Sequence, residues 1–184
     1  MIPEKINGKY YVELCSYGEV QTAGASIVAA KKHFECAPSI LEIGVLRGHR
    51  AEIMNSELKP SLMILVDPWG FCAETHANNW ADTWFRIQEH ENIVVLKAKS
   101  ELASKLLTCS FDFIFLDGDL IGGELSPGTE EEGIRKDIKL WLPRVNEGGI
   151  LAGHDYNYDN IGLEVNTVFG DRVNTDGTEW WIYV

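Results

Sequence analysis

No stretch of this 184-residue sequence approaches the ~18 consecutive apolar residues that a membrane span requires. Met1–Glu13 carries neither the basic nor the apolar region of a secretory signal, so a cytoplasmic protein with no membrane partner is expected. The four cysteines (Cys15, Cys36, Cys72 and Cys109) lie far apart without a C-x-x-C pair, and they read as reduced thiols rather than a disulfide framework or zinc site. Basic residues are few. Sixteen Lys and Arg stand against 28 Asp and Glu, a formal charge of −12. Contacts along a nucleic-acid backbone come from clusters of Lys and Arg, and no basic patch is visible, so nucleic acid is not expected as a partner. The fingerprint G-x-G-x-x-G is missing, which counts against NAD or FAD, and without G-x-x-x-x-G-K-[ST] the hydrolysis of ATP or GTP has no anchor. Repeats, low-complexity tracts and linkers are absent as well.

What the sequence does have is a 45% apolar content and a regular alternation. A chain of this length can bury roughly 70% of its unfolded surface, enough for one core without staples. Short apolar runs at Ser39–Ile43, Leu62–Val66, Asn92–Leu96, Phe111–Leu116 and Gly149–Ala152 read as strands covered on both faces. Between them His49–Leu58, Ala77–His90, Ser100–Leu107 and Thr129–Leu142 read as helices. A helix over Val20–Phe34 precedes the first strand. A short one over Gly162–Phe169 follows the fifth, and Arg172–Thr175 and Glu179–Val184 close the chain as strands around a turn at Asp176–Gly177. Strand–helix–strand repetition implies parallel pairing through right-handed crossovers. The expected fold is α/β: a doubly wound, Rossmann-like, mostly parallel seven-stranded sheet with helices on both faces. It forms a single domain over 1–184, with a helical lead-in at 1–38, a core at 39–156 and a closing helix and strands at 157–184.

In such a sheet ligands bind beyond the carboxyl ends of the strands. The first strand runs into Glu42-Ile43-Gly44-Val45-Leu46-Arg47-Gly48, where two glycines permit a tight turn and close approach of the backbone to a ligand before a helix N-terminus. Glycines between strand and helix are as often simple turn residues. The second strand ends in Asp67-Pro68, an acidic position suited to a ribose diol or, more blandly, to a helix cap. Ser100, after the third strand, reads as a helix cap. The fourth and fifth strands end in Asp117-Gly118-Asp119 and His154-Asp155. Carboxylates therefore end four independent strands on one edge of the sheet.

The segments E-I-G-V-L-R-G, V-D-P-W, F-I-F-L-D-G-D and D-I-K-L-W-L-P-R-V-N-E-G-G-I-L-A-G-H-D-Y, in this order and spacing, resemble class I S-adenosylmethionine-dependent methyltransferases. The nearest branch is that of the small O-methyltransferases allied to the macrocin type, with catechol O-methyltransferase more distant. The resemblance covers about 39–156, and the terminal T-E-W-W-I-Y-V is similar to the ending of some members. It implies that Glu42, Gly44, Val45 and Gly48 surround the methionine part of S-adenosylmethionine, that Asp67 with Pro68 holds the ribose, and that Ser100 lies near the adenine. It also implies a role for Asp117 in the cofactor pocket. Asp117 and Asp155 match metal-binding positions, with Asp119 as a third ligand, and hard oxygen donors of this kind suit Mg²⁺. The implied activity is O-methyl transfer to a small hydroxylated acceptor, a saccharide or glycosylated metabolite, with Asp117, His154 and Asp155 as the catalytic set. The implied assembly is a homodimer.

A bound cation lowers the pKa of a coordinated hydroxyl, and His154 is the candidate to take its proton, because an unperturbed histidine changes charge near neutrality. The alternative for His154 is a strand-end residue bonded to backbone. Two departures from the resemblance matter: Leu120 stands where many relatives carry a histidine, and His154 stands where others carry a second aspartate. They keep open a module that binds S-adenosylmethionine or a nucleotide without catalysis. An iron oxygenase would need two histidines and a carboxylate on a β-rich barrel, and methylation of a nucleic-acid base would need an N-P-P-[YF]-type motif. Neither is present. The 120–136 segment, rich in Gly and Pro, reads as a substrate loop or a surface excursion, with Glu130–Glu132 favouring the start of the next helix. Trp80, Trp84 and Ile87 fall at core spacing, and the polar segment from Trp69 to Asn79 is the lid candidate. Of Trp180 and Trp181, alternation buries one.

Overall fold

The structure is a computed structural model that describes residues 4–6, 9–11, 23–69, 75–118 and 133–184. It opens with a feature the sequence did not announce: β1 (Glu4–Ile6) and β2 (Lys9–Tyr11) pair antiparallel as a two-stranded sheet, so the lead-in is not wholly helical. Three-residue strands are too short to show a period of two, which is why alternation gave no signal there. The helix expected over Val20–Phe34 is α1 (Ala25–His33), ended by a backbone cap from Phe34 to Ala30.

The main sheet contains β3 (Ser39–Ile43), β4 (Leu62–Asp67), β5 (Ile93–Lys97), β6 (Phe111–Leu116), β7 (Val145–Gly153), β8 (Asn174–Asp176) and β9 (Glu179–Tyr183). Their order is β5-β4-β3-β6-β7-β9-β8. The first five run parallel, and β9 and β8 pair antiparallel at one edge. The seven-stranded, mostly parallel expectation holds. β3 sits in the middle, with β4 on one side and β6 on the other, so the winding reverses at its carboxyl end. A crevice must open there, because the crossover helices leave in opposite directions.

The helices are α2 (His49–Leu58), α3 (Thr75–Ile87), α4 (Ser100–Leu106), α5 (Ile134–Trp141) and α6 (Asp159–Phe169). Alternation along each strand divides the core in two. Leu41, Ile43, Ile114 and Leu116 pack with Ala103, Trp141, Val165, Phe169 and Trp180. Ile40, Met63, Leu65, Phe113 and Phe115 pack with Ile27, Ala30, Ala51 and Met54. Complete burial of side chains this large contributes about 1.5–3 kcal/mol each. Trp180 is fully buried against Phe169, while Trp181 is half-buried on the opposite face, as alternation requires.

Two expectations change. β5 is a sheet edge rather than a strand covered on both faces: none of its residues is fully buried, and Val94 and Lys97 are exposed. The tryptophan stripe of α3 is only partly core, for Ile87 is buried and Trp80 half-buried but Trp84 is 51% exposed. The buried face of α3 belongs instead to Asn79, Asp82, Thr83 and Ile87. Among the described residues no helix is long and apolar enough to cross a membrane.

Candidate active site

The chain leaves β3 through Gly44, whose φ of +84° only glycine adopts without strain. Space makes the same demand, since a Cβ at this position would lie 2.0 Å from the Asp117 carbonyl oxygen at the end of β6. Gly48, at φ +76°, is the N-cap of α2. Between the two glycines the bend closes on itself through the Gly48 N–H, which donates to the Val45 carbonyl at 2.9 Å.

Asp67 clasps this bend. Its Oδ2 accepts the backbone N–H of Val45 at 2.9 Å and of Leu46 at 3.0 Å, and its Oδ1 accepts that of Trp69 at 2.8 Å. A carboxylate offers about four acceptor positions, so roughly one remains for a ligand. The indole N–H of buried Trp69 and the hydroxyl of Thr83 both donate to the Leu46 carbonyl, at 2.9 and 3.0 Å. Trp69 is therefore a strut of the bend rather than a lid. Pro68 lies beside it, half-buried. Thr75–Asn79, assigned to the lid from sequence, form the start of α3, and residues 70–74 lie outside the described residues.

Glu42 is buried beneath the bend, and its Oε2 has no hydrogen-bond partner among the described residues. Burial raises its carboxyl well above the usual range; Arg50 opposes this, while Asp117 and Asp67 reinforce it. Asp117 is likewise raised by burial, against the pull of Arg50 and His154. Arg50 links the groups. Its guanidinium pairs with Glu179, lies 3.8 Å from Asp117 Oδ2 and stacks 4.2 Å over the Phe115 ring. Glu179 in turn accepts the backbone N–H and the hydroxyl of Ser26 at 2.9 and 2.8 Å. Sequence reading missed Arg50, Glu179 and Ser26, because no local pattern shows that the end of the chain returns to α1 and α2.

At the ends of β6 and β7, Asp117, His154 and Asp155 bring ligand atoms within 4.8 Å of one another. The left-handed backbone of Asp155 (φ +61°) accompanies a 2.8 Å contact between its Oδ1 and His154 Nδ1. His154 Nε2 lies 2.7 Å from the Thr178 hydroxyl. In a neutral ring this pairing lets Nδ1–H donate to Asp155 while Nε2 accepts from Thr178. Asp119 and the acidic run Glu130–Glu132 lie outside the described residues. Ser100 is the first residue of α4, with Lys99 at the N-cap, so it is not the expected cap. Its hydroxyl donates to Asp137 and accepts the Trp141 indole N–H at 2.8 Å, joining α4 to α5. Asp137, raised by burial against the Ser100 hydrogen bond, lies near Gly118, where a Cβ would stand 3.1 Å from its Oδ2. Sequence reading left Asp137 out of the site.

The fold is shared with proteins of diverse description. A candidate rRNA methylase from Clostridium thermocellum superposes with a TM-score of 0.65 at 14% identity, covering 92% of this chain and 99% of that one. An O-methyltransferase from Bacillus cereus in complex with S-adenosylhomocysteine gives 0.59 at 16% identity, covering 90% and 84%. A precorrin 8w decarboxylase from Methanobacterium thermoautotrophicum gives 0.59 at 15%, covering 89% and 91%. No curated protein matches the sequence significantly. The family model described as a methyltransferase domain matches residues 41–156, from the strand beneath the glycine bend to the acidic tip of β7, and this chain belongs to that methyltransferase family.

Proposed function

We propose that the protein is an S-adenosylmethionine-dependent O-methyltransferase of a small hydroxylated acceptor, a saccharide or glycosylated metabolite, assisted by a divalent cation. The observation that carries this reading is Glu42 Oε2, without a hydrogen-bond partner among the described residues and buried under a bend whose Gly44 position has no room for a side chain. A buried carboxyl without a partner needs one, and the ammonium of the donor's methionine part supplies it. The rest of the pocket fits the donor too: Asp67 keeps acceptor capacity for a ribose diol, and the bend presents its backbone at a helix N-terminus. The S-adenosylhomocysteine bound to the Bacillus cereus relative is consistent with this choice.

When bound, the donor supplies a methyl group on a sulfonium, its own leaving group. This chain must orient an acceptor oxygen and take its proton. Asp117 and Asp155 would hold a Mg²⁺, which would lower the pKa of a coordinated hydroxyl; their carboxylate oxygens are the donors that suit a hard cation, and the His154 ring stays beside it for the proton. Arg50 already offsets part of the Asp117 charge, so a cation there would be bound modestly. His154 Nε2 takes the proton once an acceptor hydroxyl replaces that of Thr178, while Asp155 steadies the ring through Nδ1. Ser100 braces α4 against α5 at the adenine end and positions rather than contacts. A charge of −12 disfavours the RNA substrate of some structural relatives.

The test is methyl transfer from labelled S-adenosylmethionine to a panel of saccharides, with Mg²⁺ and with EDTA. Cation-stimulated product supports the proposal. Tight binding of S-adenosylhomocysteine without turnover on any hydroxylated acceptor would instead identify a non-catalytic binding module.

A further inference from the structure

Glu179, the first residue of β9, is 5% exposed, and Arg50, in the first turn of α2, is 9% exposed. The two side chains form an ion pair. The carboxylate is held from another side as well, because its Oε2 accepts both the backbone N–H and the hydroxyl of Ser26 in α1. Gly24 completes this seat: a Cβ there would stand 2.0 Å from Glu179 Oε1. Glu179 is thus fixed by α1. Arg50 is fixed in turn, between Glu179 and the Phe115 ring 4.2 Å from its guanidinium.

Stability alone is a poor account of this arrangement, since a desolvated ion pair is commonly no more stabilising than apolar side chains of similar volume. What the pair does is hold a positive charge beside the tip of β6. Arg50 Nε lies 3.8 Å from Asp117 Oδ2, near enough for attraction and too far for a hydrogen bond. The contact therefore leaves the lone pairs of that oxygen to a ligand.

We propose that Arg50 and Glu179 are opposed positioning residues that set the affinity of the Asp117–Asp155 pair for a divalent cation, Arg50 lowering it and Glu179 raising it. The proposal rests on the cation reading of this site. A positive charge beside Asp117 repels an incoming dication, and the Glu179 carboxylate, in contact with that charge, cancels part of the repulsion. Arg50 acts on the Asp117 carboxyl more strongly than Glu179 does, so the net effect of the pair is to keep the cation exchangeable. The last strand and the lead-in helix, remote from β6 in sequence, thereby tune the tip of β6.

Titration of the full chain with Mn²⁺ at low salt, with the free ion followed by electron paramagnetic resonance, tests it. Glu179→Gln leaves Arg50 uncompensated and should weaken Mn²⁺ binding about tenfold. Arg50→Met combined with Glu179→Gln removes both charges and should bind about threefold more tightly than wild type. The double variant exchanges the whole pair instead of stranding one member, so it decides the matter even where the single variant unfolds. A bridge with a merely structural role would weaken binding in both. Glu179→Gln as tight as wild type, or a double variant no tighter than wild type, would overturn the proposal and leave the cation site standing. A wild type that binds no Mn²⁺, or binding that survives Asp155→Ala, would overturn the cation reading together with it.

Discussion

Replacing Asp67 by alanine removes one carboxylate and leaves three backbone donors without their acceptor. The donors differ in surroundings. Leu46 is 57% exposed, so water can rehydrate its N–H, whereas Val45 and Trp69 are 5% and 4% exposed and theirs stay dry. Hydrogen bonds to a charged acceptor are worth roughly 1.5–3 kcal/mol each, so two dry donors place the loss at about 3–6 kcal/mol. For a domain of this size that corresponds to a melting temperature lower by about 10 °C. Asp67→Asn keeps one oxygen for Val45 and Leu46 but turns an amide N–H₂ on the Trp69 N–H, so it should fall about midway. If the remaining acceptor position of Asp67 also holds a ribose, affinity for S-adenosylhomocysteine drops about 10–100-fold in the alanine variant. Calorimetric scanning and titration of the three proteins measure both effects. An alanine variant that melts with the wild type would refute the clasp, and one that binds with wild-type affinity would remove Asp67 from the pocket.

Gly44→Ala puts a Cβ against the Asp117 carbonyl at a left-handed φ; it should cost more than about 3 kcal/mol and abolish donor binding, read by denaturant unfolding and titration. Burial raises the Glu42 carboxyl above its ordinary 4.5, so the folded chain holds a proton that the unfolded chain has released. Its contribution to stability is whole below about 4.5 and is lost as pH rises toward the folded-state value. Glu42→Gln should therefore unfold at higher urea than wild type at neutral pH, the gap closing as pH falls; Asp117, shifted the same way, leaves a residual slope. Arg50→Met strands the buried Glu179 carboxylate and should destabilise by about 3–5 kcal/mol, with Glu179→Gln in the same chain recovering part of it in thermal melts. If a cation serves the acceptor as proposed, EDTA treatment, or Asp155→Ala, should suppress turnover while leaving S-adenosylhomocysteine affinity within about twofold of wild type. An equal loss of both would place the carboxylate in the donor pocket.

Local chemistry alone determined much of this protein. Runs such as Ser39–Ile43 and Phe111–Leu116 matched their strands to the residue, and His49–Leu58 matched its helix, because burial on both faces of a parallel strand writes an apolar run and the amphipathic helix writes its own period. The glycines of the bend were legible for a similar reason: a positive φ is a constraint carried by the residue itself. Tertiary structure decided what depends on neighbours distant in sequence. It made Asp67 a clasp of the bend, spent the Ser100 hydroxyl on Asp137 and Trp141, and put Thr178 against His154. It returned Glu179 from the last strand to meet Arg50 and Ser26, 129 and 153 residues earlier in the chain. It also left β5 at the rim, a position that composition cannot distinguish from the middle of the sheet. Burial and hydrogen-bond satisfaction are properties of the assembled layers, and a linear pattern does not contain the partner that supplies them.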